Sequence, residues 1–351
     1  MTKIAILGAG SWGTALSVVL SRARKAHEIS LWVHDAALAE TLARQRENKV
    51  YLPGVSLPGA IRVAHEMPVA LEGAQIVVGA IPSAHAREIY LQALPHLKSE
   101  MAFVSATKGL EPATHLRMSK VLAQVLERGK DATAATQKIA VLSGPSFALE
   151  AARGEPTAVV IASEYKYAPL ASGLRRYSSL ADELQEELAG PSFRMYTNTD
   201  VLGVELAGAM KNVMAIAAGA CQGLGLGSNP LAALITRGLA EMSRLAVALG
   251  ARTETLSGLA GLGDLVLTCT GALSRNRHVG IELGKGRPLR EILANMRMIA
   301  EGVDTAAPLL ALAREHAVEM PITEQVDAIL HSGKSPKDAI REIMERPLKR
   351  E

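Results

Sequence analysis

The sequence predicts an α/β protein, with an N-terminal doubly wound, mostly parallel sheet covered by helices and then an all-helical C-terminal domain. Three observations predict this. Short apolar runs alternate with helix-like stretches through the first half of the chain. After about residue 198, β-branched runs become scarce, and Ala, Leu, Glu and Arg recur at helical spacing. The 351 residues also exceed what one hydrophobic core usually organises. Two domains are therefore expected, over residues 1–198 and 199–351.

Strands are expected at residues 3–7, 28–33, 75–81, 101–106, 138–143 and 157–162, most of them continuous apolar runs of the kind buried on both faces. Helices are expected between them at 14–21, 36–46, 84–94 and 116–126, and in the second half at 201–220, 230–249, 305–316 and 322–331. The junction at 191–199 holds no long flexible linker, so the two domains are expected to enclose a shared cleft. Residues 346–351 read as a frayed tail.

Composition excludes several classes of function. A hydrophobic content of 48% and a charged content of 21% are those of an ordinary globular protein. The net charge of +3 arises from 38 basic and 35 acidic residues mixed along the chain, which argues against a nucleic-acid surface. Aromatic residues, at 3%, are too few for base-stacking platforms. Cys221 and Cys269 lie far apart without zinc-ligand spacing, and no metal is expected. The N-terminus enters a strand without a signal pattern, which points to a cytoplasmic, reduced setting. Glu205 and Lys211 interrupt the apolar stretch 201–220, which reads as a buried helix rather than a membrane span.

The strongest motif is Gly8-Ala9-Gly10-Ser11-Trp12-Gly13, placed between the first strand and first helix. At this spacing the first glycine permits a tight turn, the second lets backbone approach a pyrophosphate, and the third lets helix and strand pack closely. This is the dinucleotide-binding entry of a Rossmann unit. At the end of the second strand, His34-Asp35 offers both signs of charge. Asp35 is either a ribose ligand or the cap of the next helix, and His34 either contacts a 2′-phosphate or stacks on adenine. NADP and NAD both remain open as cofactors, with NADPH favoured.

Lys108 follows the strand at 101–106, at the edge where doubly wound sheets bind ligands. The run Ser143-Gly144-Pro145-Ser146-Phe147-Ala148 leaves the same edge, either as a rigid turn or as a cradle for phosphate or hydroxyl. In the helical half, Lys211 sits in a strongly apolar stretch. Burial there would make its ammonium a usable general acid, unless the head reaches solvent along an apolar stem. Glu205 is poorly spaced to pair with it. The Gly-rich run 258–264 reads as a turn whose Asp264 either caps the next segment or orients a lysine. Ser274-Arg275-Asn276-Arg277 opens a helix, either as a simple cap or as a holder of a phosphate dianion. Glu301-Gly302, after Met298-Ile299-Ala300, reads as a loop with an acid available to a cofactor ribose.

Taken in order, these motifs resemble the NAD(P)-dependent glycerol-3-phosphate dehydrogenases of bacterial type. The resemblance runs through Gly8–Ala15, Ala106–Glu111, Ser143–Ala148, Lys211-Asn212, Gly261–Leu265, Ser274–Arg277 and Ala300–Val303. It implies reversible hydride transfer between NAD(P)H and dihydroxyacetone phosphate, giving sn-glycerol 3-phosphate for phospholipid synthesis. By resemblance, Lys211 is the proton donor for reduction and acceptor for oxidation; on chemical grounds Asp264 and Asn212 are the residues expected to hold its ammonium. Lys108, Gly144, Ser146, Lys211, Asp264, Ser274, Arg275 and Asn276 are implied to contact substrate. Ser11, Trp12, His34, Lys108, Ala148, Arg275, Ile299 and Glu301 are implied to contact cofactor, beside Gly8, Gly10 and Gly13, which the motif spacing assigns to it. A homodimer is expected, with no nucleic-acid partner and no stable membrane insertion. The rivals are a 6-phosphogluconate or hydroxyacid dehydrogenase type of reductase, and a nicotinamide-sensing binding protein without turnover.

Overall fold

The computed structural model describes residues 1–129, 138–169, 175–296, 298–348 and 350, so Lys349 and Glu351 of the expected tail lie outside the described residues. The chain divides into two compact units. The first comprises Met1–Glu111 and Leu116–Glu205, the second Pro112–His115 and Leu206–Glu351.

The first unit is built on an eight-stranded sheet. Its strands are β1 (Thr2–Leu7), β2 (His27–Trp32), β3 (Ile61–Ala64), β4 (Ile76–Gly79), β5 (Ala102–Ser105), β6 (Ile139–Ser143), β7 (Thr157–Ala162) and β10 (Phe193–Asn198), in the order β10-β7-β6-β5-β4-β1-β2-β3. A separate antiparallel pair is formed by β8 (Tyr165–Pro169) and β9 (Arg175–Ser179). Pairing from β3 through to β6 is parallel, β7 runs antiparallel to β6, and β10 is parallel to β7. The six-strand core thus has the order 3-2-1-4-5-6 of a dinucleotide-binding fold.

Helices α1 (Ser11–Leu20), α2 (Ala36–Gln45), α3 (Met67–Leu71), α4 (Ala86–Ala93), α5 (Met118–Leu126), α6 (Ala148–Arg153) and α7 (Leu180–Leu188) cover the sheet. Side chains of β1 alternate between the two resulting cores, as a strand's period of two requires. Ile4 and Ile6 pack with Leu16, Leu42 and Leu184 on one face, while Ala5 and Leu7 pack with Tyr90, Phe103 and Leu122 on the other. Parallel register brings the strand ends level, with Leu7 beside Gly79 and Gly79 beside Ser105, so the loops that follow leave from one edge.

Sequence expectations for strands match within a residue or two where runs are apolar. The structure adds β3, the pair β8 and β9, and β10, and the segment expected as the interdomain junction is in part the edge strand β10. Helix α1 begins at Ser11 rather than residue 14, because the glycine turn already contains its first turn.

Among its described residues, the regular elements of the second unit are all helices. Its elements are α8 (Val201–Gly223, which begins in the first unit), α9 (Ser228–Ala248), α10 (Thr253–Ser257), a π-helical turn (Leu259–Gly263), α11 (Asp264–Thr270), α12 (Arg275–Gly284), α13 (Leu289–Ala294), α14 (Glu301–Glu315), α15 (Pro321–His331) and α16 (Pro336–Met344). Helix α8 is long and apolar enough to cross a membrane, but most of it is buried inside the protein, as in a core helix. The Gly-rich run 258–264 is not a turn. It forms a π-helical segment leading straight into α11, because Gly261 packs where a Cβ would lie 2.0 Å from the Leu256 carbonyl oxygen.

Candidate active site

In the first unit, the turn from β1 to α1 is shaped by its glycines. Gly8 has φ +111°, and a Cβ there would stand 2.6 Å from the Ala80 carbonyl oxygen, while one on Gly13 would stand 1.8 Å from the Gly8 oxygen. Gly10 has nothing within 4 Å of a Cβ position, so backbone is open to a ligand at that point. Ser11 and Trp12 open α1, where N–H groups lack intrahelical acceptors and attract anions. The Ser11 hydroxyl donates to the Tyr51 carbonyl at 2.6 Å. Trp12 packs on the core beneath, and its buried Nε1 has no partner among the described residues. An open glycine edge, a helix N-terminus and an orphaned indole N–H together fit a dinucleotide.

His34 is exposed beyond β2 and meets the Trp32 ring edge-on at 5.7 Å. Asp35 is the N-cap of α2, accepting from the Leu38 N–H at 2.6 Å, which realises the capping alternative. At the ends of β5 and β6 the Lys108 ammonium donates to the Gly144 carbonyl at 3.1 Å, as does the Ser146 hydroxyl at 3.0 Å. Gly144 adopts φ +131°, and Ala148 starts α6 just beyond. Lys108, Gly144 and Ser146 therefore form one cluster.

In the second unit, Lys211 is 6% exposed on α8, and its ammonium donates to Asp264 Oδ1 at 2.6 Å and Thr268 Oγ1 at 2.9 Å. Asp264, 1% exposed, is the first residue of α11, and Thr268 stands one turn further on the same face. The Thr268 hydroxyl in turn donates to the Asp264 carbonyl at 2.5 Å. Of the two roles open to Asp264, the structure brings it to the lysine. Cys269, next along, has its thiol pushed up to about 12 by burial, opposed by the nearby Lys211 and Arg277 charges. It is a buried neutral thiol.

The expectation that Asn212 holds the Lys211 ammonium is not met. The side chain of Asn212 bonds elsewhere, accepting from Asn276 Nδ2 at 2.9 Å and donating to Glu301 Oε2 at 3.4 Å. Thr268 takes the place beside Asp264 expected of Asn212. Its signal was present as a threonine four residues after the aspartate, yet it looks like any helical Thr. Glu301 belongs to the first turn of α14 and not to a loop, and the Gly302 N–H donates to Asn276 Oδ1 at 2.9 Å. Asn276 thus links α8 to the start of α14.

Ser274 is the N-cap of α12, accepting from the Arg277 N–H at 3.2 Å. Arg275 projects exposed from the first turn, and Ile299 is exposed at 41% before α14. The structure thus brings Lys211 and Asp264 into direct contact. Asn212, Asn276 and Glu301 are joined in a second chain of hydrogen bonds, with Ser274 and Arg275 at the adjacent helix start.

A dinucleotide-binding sheet unit combined with a helical unit carrying a buried lysine–carboxylate pair defines a two-unit nicotinamide-dependent dehydrogenase. Comparison with known proteins narrows the class. Residues 3–168 match the family model described as NAD-dependent glycerol-3-phosphate dehydrogenase N-terminus, and residues 200–341 match its C-terminus counterpart. The chain is 51% identical over 348 residues to a glycerol-3-phosphate dehydrogenase (NAD(P)+) of Koribacter versatilis, covering 99% of this chain and 98% of that protein. A protein of the same name from Acidobacterium capsulatum is 50% identical over 352 residues, covering 99% of each. A crystal structure of glycerol-3-phosphate dehydrogenase from Coxiella burnetii superposes with a TM-score of 0.87 at 40% identity, covering 98% of this chain and 99% of that one. The chain belongs to the NAD-dependent glycerol-3-phosphate dehydrogenase family and is an oxidoreductase.

Proposed function

We propose that the protein catalyses the reversible NAD(P)H-dependent reduction of dihydroxyacetone phosphate to sn-glycerol 3-phosphate, supplying glycerophospholipid synthesis. The observation that carries the reading is the buried Lys211 ammonium on Asp264 and Thr268. The cofactor is held by the glycine turn with Ser11 and Trp12, by His34 on the adenosine side, and by Lys108, Ala148, Arg275, Ile299 and Glu301. When bound, the reduced nicotinamide supplies a hydride to C2 of the substrate.

Negative charge then develops on the C2 oxygen, and Lys211 stabilises it and delivers a proton to it. Asp264 and Thr268 orient the ammonium. Lys211 recovers its proton from solvent, so the reduction consumes one proton overall. In the oxidative direction the neutral amine accepts the hydroxyl proton. The substrate phosphate is held by Arg275 and the first turn of α12, and Lys108, Gly144, Ser146 and Asn276 orient the rest. Asn212 acts at one remove, fixing Asn276 and Glu301. NADPH is the favoured cofactor and a cytoplasmic homodimer the proposed working state.

Following NADPH or NADH absorbance with dihydroxyacetone phosphate tests the reaction. Lys211→Ala is expected to lower kcat by about 10²-fold or more, the share a positioned general acid supplies, while cofactor binding is kept. A variant that turns over at the wild-type rate refutes the role of Lys211. Faster turnover by the wild type with substrates lacking a phosphate ester refutes the substrate.

A further inference from the structure

The glycine turn is tied down by a residue outside its motif. Asn48, on the segment between α2 and β3, is fully buried. Its amide nitrogen donates to the Ala9 carbonyl and to Thr14 Oγ1, each at 2.8 Å, and its Oδ1 accepts from the Tyr51 N–H at 3.2 Å. Both amide hydrogens are thereby used. The segment around Asn48 is itself closed. The Leu57 N–H donates to the Arg46 carbonyl at 2.7 Å, and the Arg46 guanidinium reaches the Pro58 and Ile61 carbonyls. Leu52, Val55 and Leu57 are buried in the same core as Ala9 and Leu16. Ser11 makes a second tie through the Tyr51 carbonyl. Turn and segment are one body, joined at Ala9 by Asn48 and at the helix start by Ser11.

We propose that Asn48 is a positioning residue for the cofactor, fixing the Ala9–Gly10 peptide so that the Gly10 N–H faces the diphosphate. In a trans peptide the carbonyl and the following N–H point in opposite directions. Since the Ala9 oxygen is turned inward onto Asn48, with Thr14 Oγ1 also donating to it at 3.3 Å, the Gly10 N–H is turned outward. Gly10 is the glycine of the motif with open space where a Cβ would be. Releasing the Ala9 carbonyl lets this peptide rotate, and the anion-binding donors lose their common aim. The inference rests on the reading that this unit binds NAD(P)(H).

Fluorescence titration of the full-length protein with NADPH and with NADH, without substrate, tests it. In Asn48→Ala both Kd values are expected to rise by the same factor, about tenfold, as loss of one orienting hydrogen-bond set predicts. At saturating cofactor, kcat stays within about threefold and the KM for dihydroxyacetone phosphate is unchanged, since uniform cofactor binding is what is lost. Asn48→Asp keeps the volume and the Tyr51 bond but removes both donors, and is expected to lose at least as much affinity. A purely structural role lowers Tm and leaves cofactor Kd unchanged in the folded protein. Wild-type Kd values in either folded variant therefore overturn the proposal, so it stays testable should Asn48→Ala fail to fold. Wild-type protein that binds neither dinucleotide overturns the cofactor reading instead.

Discussion

Helices α8 and α12 touch backbone to backbone, and a single methyl group should separate them. A Cβ on Gly280 would lie 2.0 Å from the Ile216 carbonyl oxygen, 2.8 Å from the Ala220 nitrogen and 2.9 Å from the Gly219 Cα. All three are main-chain atoms of α8, so no side chain can rotate away. An ordinary carbon–oxygen contact needs about 3.4 Å, so Gly280→Ala must part the helices by about 1.4 Å at that point. Asn276 lies one turn away on α12, and its 2.9 Å bond to Asn212 would stretch beyond hydrogen-bond range if half the shift reached it. Overpacking of this kind costs about 1–3 kcal/mol. Misplacing substrate-binding groups by about 1 Å costs about 10²-fold in rate. Steady-state kcat and a thermal melt should therefore fall together. Gly59→Ala serves as control, since nothing lies within 4 Å of that Cβ. A Gly280→Ala protein with wild-type kcat and Tm would refute the claim that this contact sets the site.

Two further outcomes are expected. His34→Ala should lower kcat/KM for NADPH by about tenfold more than for NADH if the imidazole meets the 2′-phosphate, whereas an equal loss with both assigns it to adenine stacking. The Glu282 carboxyl is held down to about 2 by hydrogen bonds from Lys285 and then Arg287. Its folded pKa lies below the ordinary value of 4.5, so its stabilisation is complete above pH 4.5 and lost as pH falls toward 2. The Tm gap between wild type and Glu282→Gln should accordingly close over that window, and a gap that widens on acidification contradicts the assignment.

What could be read in the sequence was what local sterics or continuous burial impose. The spacing of Gly8, Gly10 and Gly13 announces a turn because Gly8 and Gly13 answer clashes with a neighbouring strand end or within a few residues, while Gly10 leaves backbone open. Central strands such as β1 are apolar on both faces and stand out. The edge strands β3 and β10 are less conspicuous, with polar residues such as Arg62, Arg194 and Thr197 among their apolar ones. Glycine-rich 258–264 resembles a loop, and only the approach of Gly261 to Leu256 shows that the glycines permit a π-helical turn. The contact between Lys211 and Asp264 spans 53 positions, a pairing no local pattern encodes. Asn48 and Thr268 escaped notice for the same reason, since their value lies in partners supplied by distant segments.

One further pattern is legible in the sequence, and it bears on why the buried lysine–aspartate pair can exist. Gly219 and Gly223 on α8 face Gly280 and Gly284 on α12, each pair four residues apart, and each glycine meets the other helix's backbone. A buried ion pair is a poor source of stability, because desolvating both charges offsets their attraction, and apolar residues of equal volume often serve a core better. Lys211 and Asp264 therefore make physical sense as chemistry. An ammonium held in a buried site interacts strongly with charge that develops on a substrate oxygen, and its orientation is set before that charge appears. Such a donor must be rigid, and rigidity here comes from neighbours without side chains. The glycine faces let α12 approach so closely that Asn276 reaches Asn212, the residue next to the lysine, and from there the start of α14. The buried charge and the glycine seam are two parts of one device: the seam fixes the helix that carries the charge.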